Sequence, residues 1–162
     1  MTRAQRRVHC SEYHLFRFQV DDWPTFRESF STHGTEDTSV VRQIYATCRI
    51  AHEWRCHVVA DGYFYRCPPS YFLPKGSPHV GFSPQADALE ISSGPSFKAQ
   101  LLAYLESPEP LRSCRFCLGT AGARFAHHEA PRKGWADQQA VATEGLLDPL
   151  FAAGTHSTRD PG

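Results

Sequence analysis

The sequence predicts an α+β fold: a residual strand–helix–strand lead, then a small cysteine-rich β-hairpin plus helix, then a tail. Three observations carry that expectation. The two-residue turn Asp61-Gly62 joins the runs "HVVA" and "YFYR", with Cys56 and Cys67 beyond their outer ends. The stretch "PSFKAQLLAYLES" from Pro95 repeats apolar residues at helical spacing. Five of the chain's six cysteines, Cys48, Cys56, Cys67, Cys114 and Cys117, fall in and around these two elements.

Taken in order, "YHLFRFQV" (Tyr13 to Val20) alternates as a strand and ends in Asp21-Asp22, a pair suited to capping a helix. "WPTFRESFSTHG" spaces Trp23, Phe26 and Phe30 as one helical face, with Pro24 in its first turn and Gly34 at its end. "SVVRQIYATC" (Ser39 to Cys48) is rich in β-branched residues and reads as a second strand. In the hairpin, an Asp-Gly turn pairs Ala60 with Tyr63, Val59 with Phe64 and Val58 with Tyr65. Continuing that register sets Cys56 opposite Cys67, their Cβ atoms roughly 5 Å apart on one face. "PPSYFLPKGSPHVGFSP" holds five prolines and reads as a loop. The helix from Pro95 puts Phe97, Leu101, Tyr104 and Leu105 on one side and closes at Pro108. A Cys-x-x-Cys loop, "LRSCRFCLGTAGARF", follows. The tail has a short helical stretch around Leu146 to Phe151, and "GTHSTRDPG" reads as disordered. These elements divide the chain into 1–47, 48–135 and 136–162.

The charge balance excludes some partners. Seventeen lysines and arginines match seventeen aspartates and glutamates, which gives no drive toward nucleic acid or an anionic membrane. The basic start "MTRAQRR" leads into no apolar signal core, and the longest apolar runs are too short to span a bilayer. A reducing cytoplasm is the expected location, and there clustered cysteines are metal ligands or catalytic groups more often than crosslinks. A disulfide, a metal site and plain burial are thus the three readings of the hairpin pair, and the location weakens the first.

A Cys-x-x-Cys loop turns two thiolates toward one metal, and cysteines near a hairpin supply the others. A redox pair should open a helix after a strand, whereas Cys114 and Cys117 follow a helix and run into Gly119. Zinc and a 4Fe-4S cluster both accept four thiolates, so residue type does not separate them.

The order Cys48-x13-Gly62-x4-Cys67, then Cys114-x2-Cys117 after a gap, resembles the auxiliary-cluster region of radical SAM enzymes, called SPASM or, when shortened, twitch. "DGYFYRCP" is similar to the hairpin of those domains. The resemblance covers about residues 48 to 117, and residues 13 to 47 look similar to the end of the partial barrel that precedes such domains. It implies one 4Fe-4S cluster on Cys48, Cys67, Cys114 and Cys117. Cys56 is the alternative to Cys48, favoured by the hairpin register as Cys48 is by the family spacing. It also implies, as partners, a radical SAM core protein or domain, a reductant such as ferredoxin or flavodoxin, and a peptide or small-molecule substrate. The Cys-x3-Cys-x2-Cys triplet that would hold the S-adenosylmethionine-cleaving cluster is missing from the sequence, and no second cysteine set follows Cys117. The chain alone is therefore not expected to generate a radical. Two other readings stand beside this one: a non-catalytic zinc module that recruits a protein partner, and a metal-free remnant.

Other residues have plainer accounts. Cys10 has no cysteine nearby and reads as a buried or free thiol. His127-His128 reads as a solvated pair, and His52 or His57 as a reserve ligand or hydrogen-bond donor to sulfur. Arg55, Arg66, Arg112 and Arg115 flank cysteines, where they either balance thiolate charge or simply face solvent. Tyr63, Phe64, Tyr65, Tyr71 and Phe72 read as packing around the hairpin.

Overall fold

A computed structural model describes residues 25–126 and 141–152, together with the backbone of two short strands at 6–8 and 18–20. It is a mixed α+β fold with small antiparallel sheets. Strand β1 (Arg6–Val8) pairs with β2 (Phe18–Val20), the latter being the described end of the expected first strand. Asp21-Asp22, Trp23, Cys10, His127-His128 and the terminal "GTHSTRDPG" lie outside the described residues.

The expected helix after Asp22 is not formed by residues 25–34. Thr25–Arg27 is instead a strand, β3, whose partner, Arg124–Ala126, lies far along the chain. The reason is non-local. The N–H of Glu28 donates to Ala123 O, that of Ser31 to Phe116 O and that of Thr35 to Arg115 O, at 2.7–2.9 Å, while Leu118 N–H donates to Ser29 O. A helix would have to satisfy these groups internally, whereas here the Cys-x-x-Cys loop and the residues after it satisfy them.

The expected second strand is a helix, α1 (Thr38–Ala46). Asp37 decides the matter: its Oδ1 accepts from Ser39 N at 2.8 Å and Val40 N at 3.4 Å and so caps the first turn. Val41, Ile44 and Tyr45, three and four residues apart, then bury one face. The β-branched side chains tolerate a helix once that face is covered. With both changes the strand–helix–strand lead disappears. A one-turn helix, α2 (Arg49–His52), follows directly with Cys48 at its N-cap.

The hairpin forms with the register expected: β4 (Val58–Ala60) and β5 (Tyr63–Tyr65) pair Val58 with Tyr65, Val59 with Phe64 and Ala60 with Tyr63. Asp61 (φ 54°) and Gly62 (φ 82°) both take the left-handed conformation of a hairpin turn whose twist matches the strands. The proline-rich stretch is not a loop throughout, because Pro68–Gly76 forms a helix, α3. Pro68 and Pro69 occupy the first turn, where no intrahelical N–H is needed, and Pro74 removes one bond late in the helix. A third strand, β6 (Ala88–Glu90), not foreseen from sequence, pairs with β5 and completes a three-stranded sheet. Helix α4 (Phe97–Glu106) matches expectation, with Phe97, Leu101, Tyr104 and Leu105 partly covered and the rest of the helix exposed.

Beyond a β-strand, β7 (Arg124–Ala126), that pairs with β3, the tail joins the core. A 3-10 turn at Thr143–Leu146 leads into α5 (Pro149–Ala152), whose Phe151 is buried against Ile44 and Ala121. Leu147 bridges to Gly122, and Asp148 pairs with Arg27 at 3.3 Å. Residues on both sides of positions 47 and 136 therefore share one core. No helix among the described residues is long and apolar enough to cross a membrane.

Candidate metal centre

Four cysteines line one cavity: Cys48, Cys67, Cys114 and Cys117. Each is delivered by a local device. Cys48 and Cys67 stand at the N-caps of α2 and α3. Thr120 anchors the approach to Cys48: its hydroxyl donates to Thr47 O at 3.1 Å and accepts from Arg49 N at 3.2 Å. Ser70 donates to Cys67 O at 2.7 Å and ties the start of α3. Cys114 lies in a 3-10 turn, Arg112–Arg115, and the buried Asp87 carboxylate caps that turn by accepting from Arg112 N and Ser113 N, each at 2.7 Å. An isolated bridge joins Phe30 to Cys117, and Gly119 N donates to Cys117 Sγ at 3.3 Å.

Gly119 also shows how closely the walls fit. At φ +54° it takes a conformation costly for other residues, and a Cβ there would come within 2.9 Å of Cys48 Sγ.

The cavity measures about 20 Å³, enough to hold a water-sized body. A tetrahedral zinc needs its four sulfurs about 2.3 Å from a single point. Among the described residues no group of three or more cysteine, histidine or carboxylate side chains is arranged to hold a metal ion.

Burial sets the thiol chemistry. It pushes Cys67 up to about 11, against the opposing hydrogen bonds from Ser70. Burial likewise raises Cys48, Cys114 and Cys117, and neighbouring thiols raise Cys114 and Cys117 further, since two thiolates repel. Without a cation the four are neutral, and a bound metal must displace their protons.

Cys56, the alternative to Cys48, is exposed, and it does not line the cavity. The ladder ends at Val58 and Tyr65, so the facing of Cys56 and Cys67 expected from register does not occur. Arg55 turns the chain there with φ 51°, and Cys56 N–H donates to Ile50 O. His52 Nε2 lies 2.8 Å from Tyr45 O and His57 Nδ1 2.8 Å from Arg66 O, and neither ring lines the cavity. Among the four flanking arginines, Arg55, Arg112 and Arg115 are exposed while Arg66 is 1% exposed. Asp87, which orders this region, had no signal in the sequence, because it acts on backbone groups distant along the chain.

Neither a protein-family model nor a curated protein matches the chain.

Proposed function

We propose that this chain is an auxiliary iron–sulfur domain of a radical SAM system, in which Cys48, Cys67, Cys114 and Cys117 hold one 4Fe-4S cluster. The observation that carries the reading is the shared cavity: cysteines drawn from three separate segments line it, and they are the four that the spacing resemblance named. Bound there, a cluster of this type would supply a one-electron acceptor or an iron that anchors substrate.

The chain's own contribution is to hold and charge the thiolates. The Ser70 N–H at Cys67 and the Gly119 N–H at Cys117 favour anionic sulfur. Without the radical-generating triplet, turnover requires a separate radical SAM core, a reductant such as ferredoxin or flavodoxin, and a peptide or small-molecule substrate. A cytoplasmic setting goes with that chemistry.

Anaerobic reconstitution with iron and sulfide tests the reading. About four irons per chain and a brown, reducible product are expected, with no 5′-deoxyadenosine formed from S-adenosylmethionine by the pure protein. One zinc and a colourless, redox-silent protein would replace this function with that of a zinc-bound interaction module. No metal at all would leave a remnant.

A further inference from the structure

Phe30 stands at an open backbone edge. Its bridge to Cys117 is made by its neighbours: Ser31 N–H donates to Phe116 O at 2.7 Å, and Leu118 N–H donates to Ser29 O at 3.0 Å. Bonds that flank a pair in this way leave the N–H and C=O of Phe30 itself pointing away from Cys117. Neither group has a hydrogen-bond partner among the described residues. The open stretch is short, since Glu28 N–H donates to Ala123 O and Thr32 O lies 2.9 Å from His79 Nε2. A donor and an acceptor aimed outward from one residue match an extended backbone, whereas a helix has spent both groups internally.

Beside this edge lies a cavity of about 380 Å³, within the range of ligand-sized pockets. Phe30, Pro68, Pro69, Phe72 and Leu73 supply its apolar walls, and no charged side chain lines it among the described residues. Phe30 is 41% and Phe72 59% exposed, so neither ring is covered. The start of α3 forms the wall facing Phe30, and Pro69 lines this cavity and the cysteine cavity alike. Directly paired residues put their side chains on one face, so Phe30 shares its face with Cys117. A residue pairing with Phe30 from the open side shares that face too, and its side chain enters between Phe30 and α3.

We propose that this groove binds a short extended peptide, which pairs with the backbone of Phe30 and places one large, uncharged apolar side chain in the cavity. Backbone pairing sets the register, and the pocket selects the anchor. A charged anchor is excluded because the walls would leave it buried and unpaired. The inference goes beyond the metal reading and stands with or without a metal at the cysteines.

The test titrates the metal-free full chain with capped pentapeptides that carry one variable residue, X, between pairs of threonines. Saturable shifts of the amide NMR signals of Phe30 and α3 are expected when X is phenylalanine or leucine. Affinity should fall about tenfold when X is alanine or lysine. Methylating the backbone nitrogen of X deletes the N–H that donates to Phe30 O, and it should weaken the phenylalanine peptide about tenfold. Phe72→Ser, at an exposed position, should fold normally and lose about tenfold in affinity. Val59→Ser, which removes another exposed apolar side chain outside the groove, should bind as wild type does.

No saturable binding by any of the peptides overturns the proposal, and so does binding that N-methylation or Phe72→Ser leaves unchanged. Toluene bound as tightly as the phenylalanine peptide would make the cavity a small-molecule site and overturn the peptide. A dimer that Phe72→Ser dissociates in sedimentation would assign the groove to a second copy of this chain and overturn it likewise. Should Phe72→Ser not fold, the N-methylated peptide decides. Because every readout uses the metal-free chain, failure of the iron–sulfur function leaves this test intact.

Discussion

Cys56 and Cys67 bracket the same hairpin, yet one is exposed and the other is 8% exposed on the wall of a four-thiol cavity. The strands between them pair symmetrically, so pairing does not explain the difference. What does is the chain beyond each cysteine. Before Cys56, Arg55 turns the backbone through a left-handed residue. After Cys67, two prolines start α3, and the thiol is left at the helix N-terminus facing Cys48, Cys114 and Cys117. Position in a hairpin therefore supplies a cysteine, and the next element determines whether it becomes a ligand.

Thiol chemistry should break the symmetry most. In the metal-free folded protein near neutral pH, Cys67 should alkylate about a hundredfold more slowly than an ordinary thiol. Burial shifts it from 9.0 to about 11, and each unit removes tenfold of the thiolate. Peptide mass spectrometry after iodoacetamide should find Cys56 labelled first among the described cysteines, and a labelled Cys67 ahead of Cys56 would remove the contrast.

Alkaline stability gives the next effect. The folded chain holds the Cys67 proton more firmly than the unfolded chain, so this burial stabilises the fold fully below pH 9.0. That contribution is lost as pH rises toward about 11. Urea unfolding of the metal-free protein should lose on the order of 2 kcal/mol over that window through Cys67, added to the losses from the other buried thiols, and Cys67→Ala should remove its part of the slope. A wild-type profile without slope would contradict the burial account.

Two glycines sharpen the comparison at smaller scale. Gly119→Ala should cost about 2 kcal/mol and Gly62→Ala about 1 kcal/mol, since both residues are left-handed. Only Gly119 faces a sulfur, Cys48 Sγ, while the space around Gly62 is open. Equal losses in denaturant midpoints would mean that the close approach to Cys48 carries no energy.

The same distinction between local and distant causes governs what could be read from sequence. The Asp61-Gly62 turn and helix α4 were legible because neighbouring residues dictate both. Residues 38–46 misled because β-branched composition pointed to a strand while a single cap, Asp37, and a 3-4 spaced face favoured a helix. Residues 25–35 misled more deeply: their aromatic spacing is helical, but their hydrogen-bond partners lie at 115–126. The four cysteines that line the cavity are those the resemblance implied, whereas Arg66 and Ser113 were not distinguishable from their neighbours until burial separated them.

Iron content across single cysteine variants tests the central claim most directly. Reconstituted wild type and Cys56→Ala should each carry about four irons per chain, while Cys48→Ala, Cys67→Ala, Cys114→Ala and Cys117→Ala should each lose most of the iron and the visible absorption. Full iron in Cys48→Ala together with its loss in Cys56→Ala, or equal iron in all five variants, would contradict a centre held in this cavity.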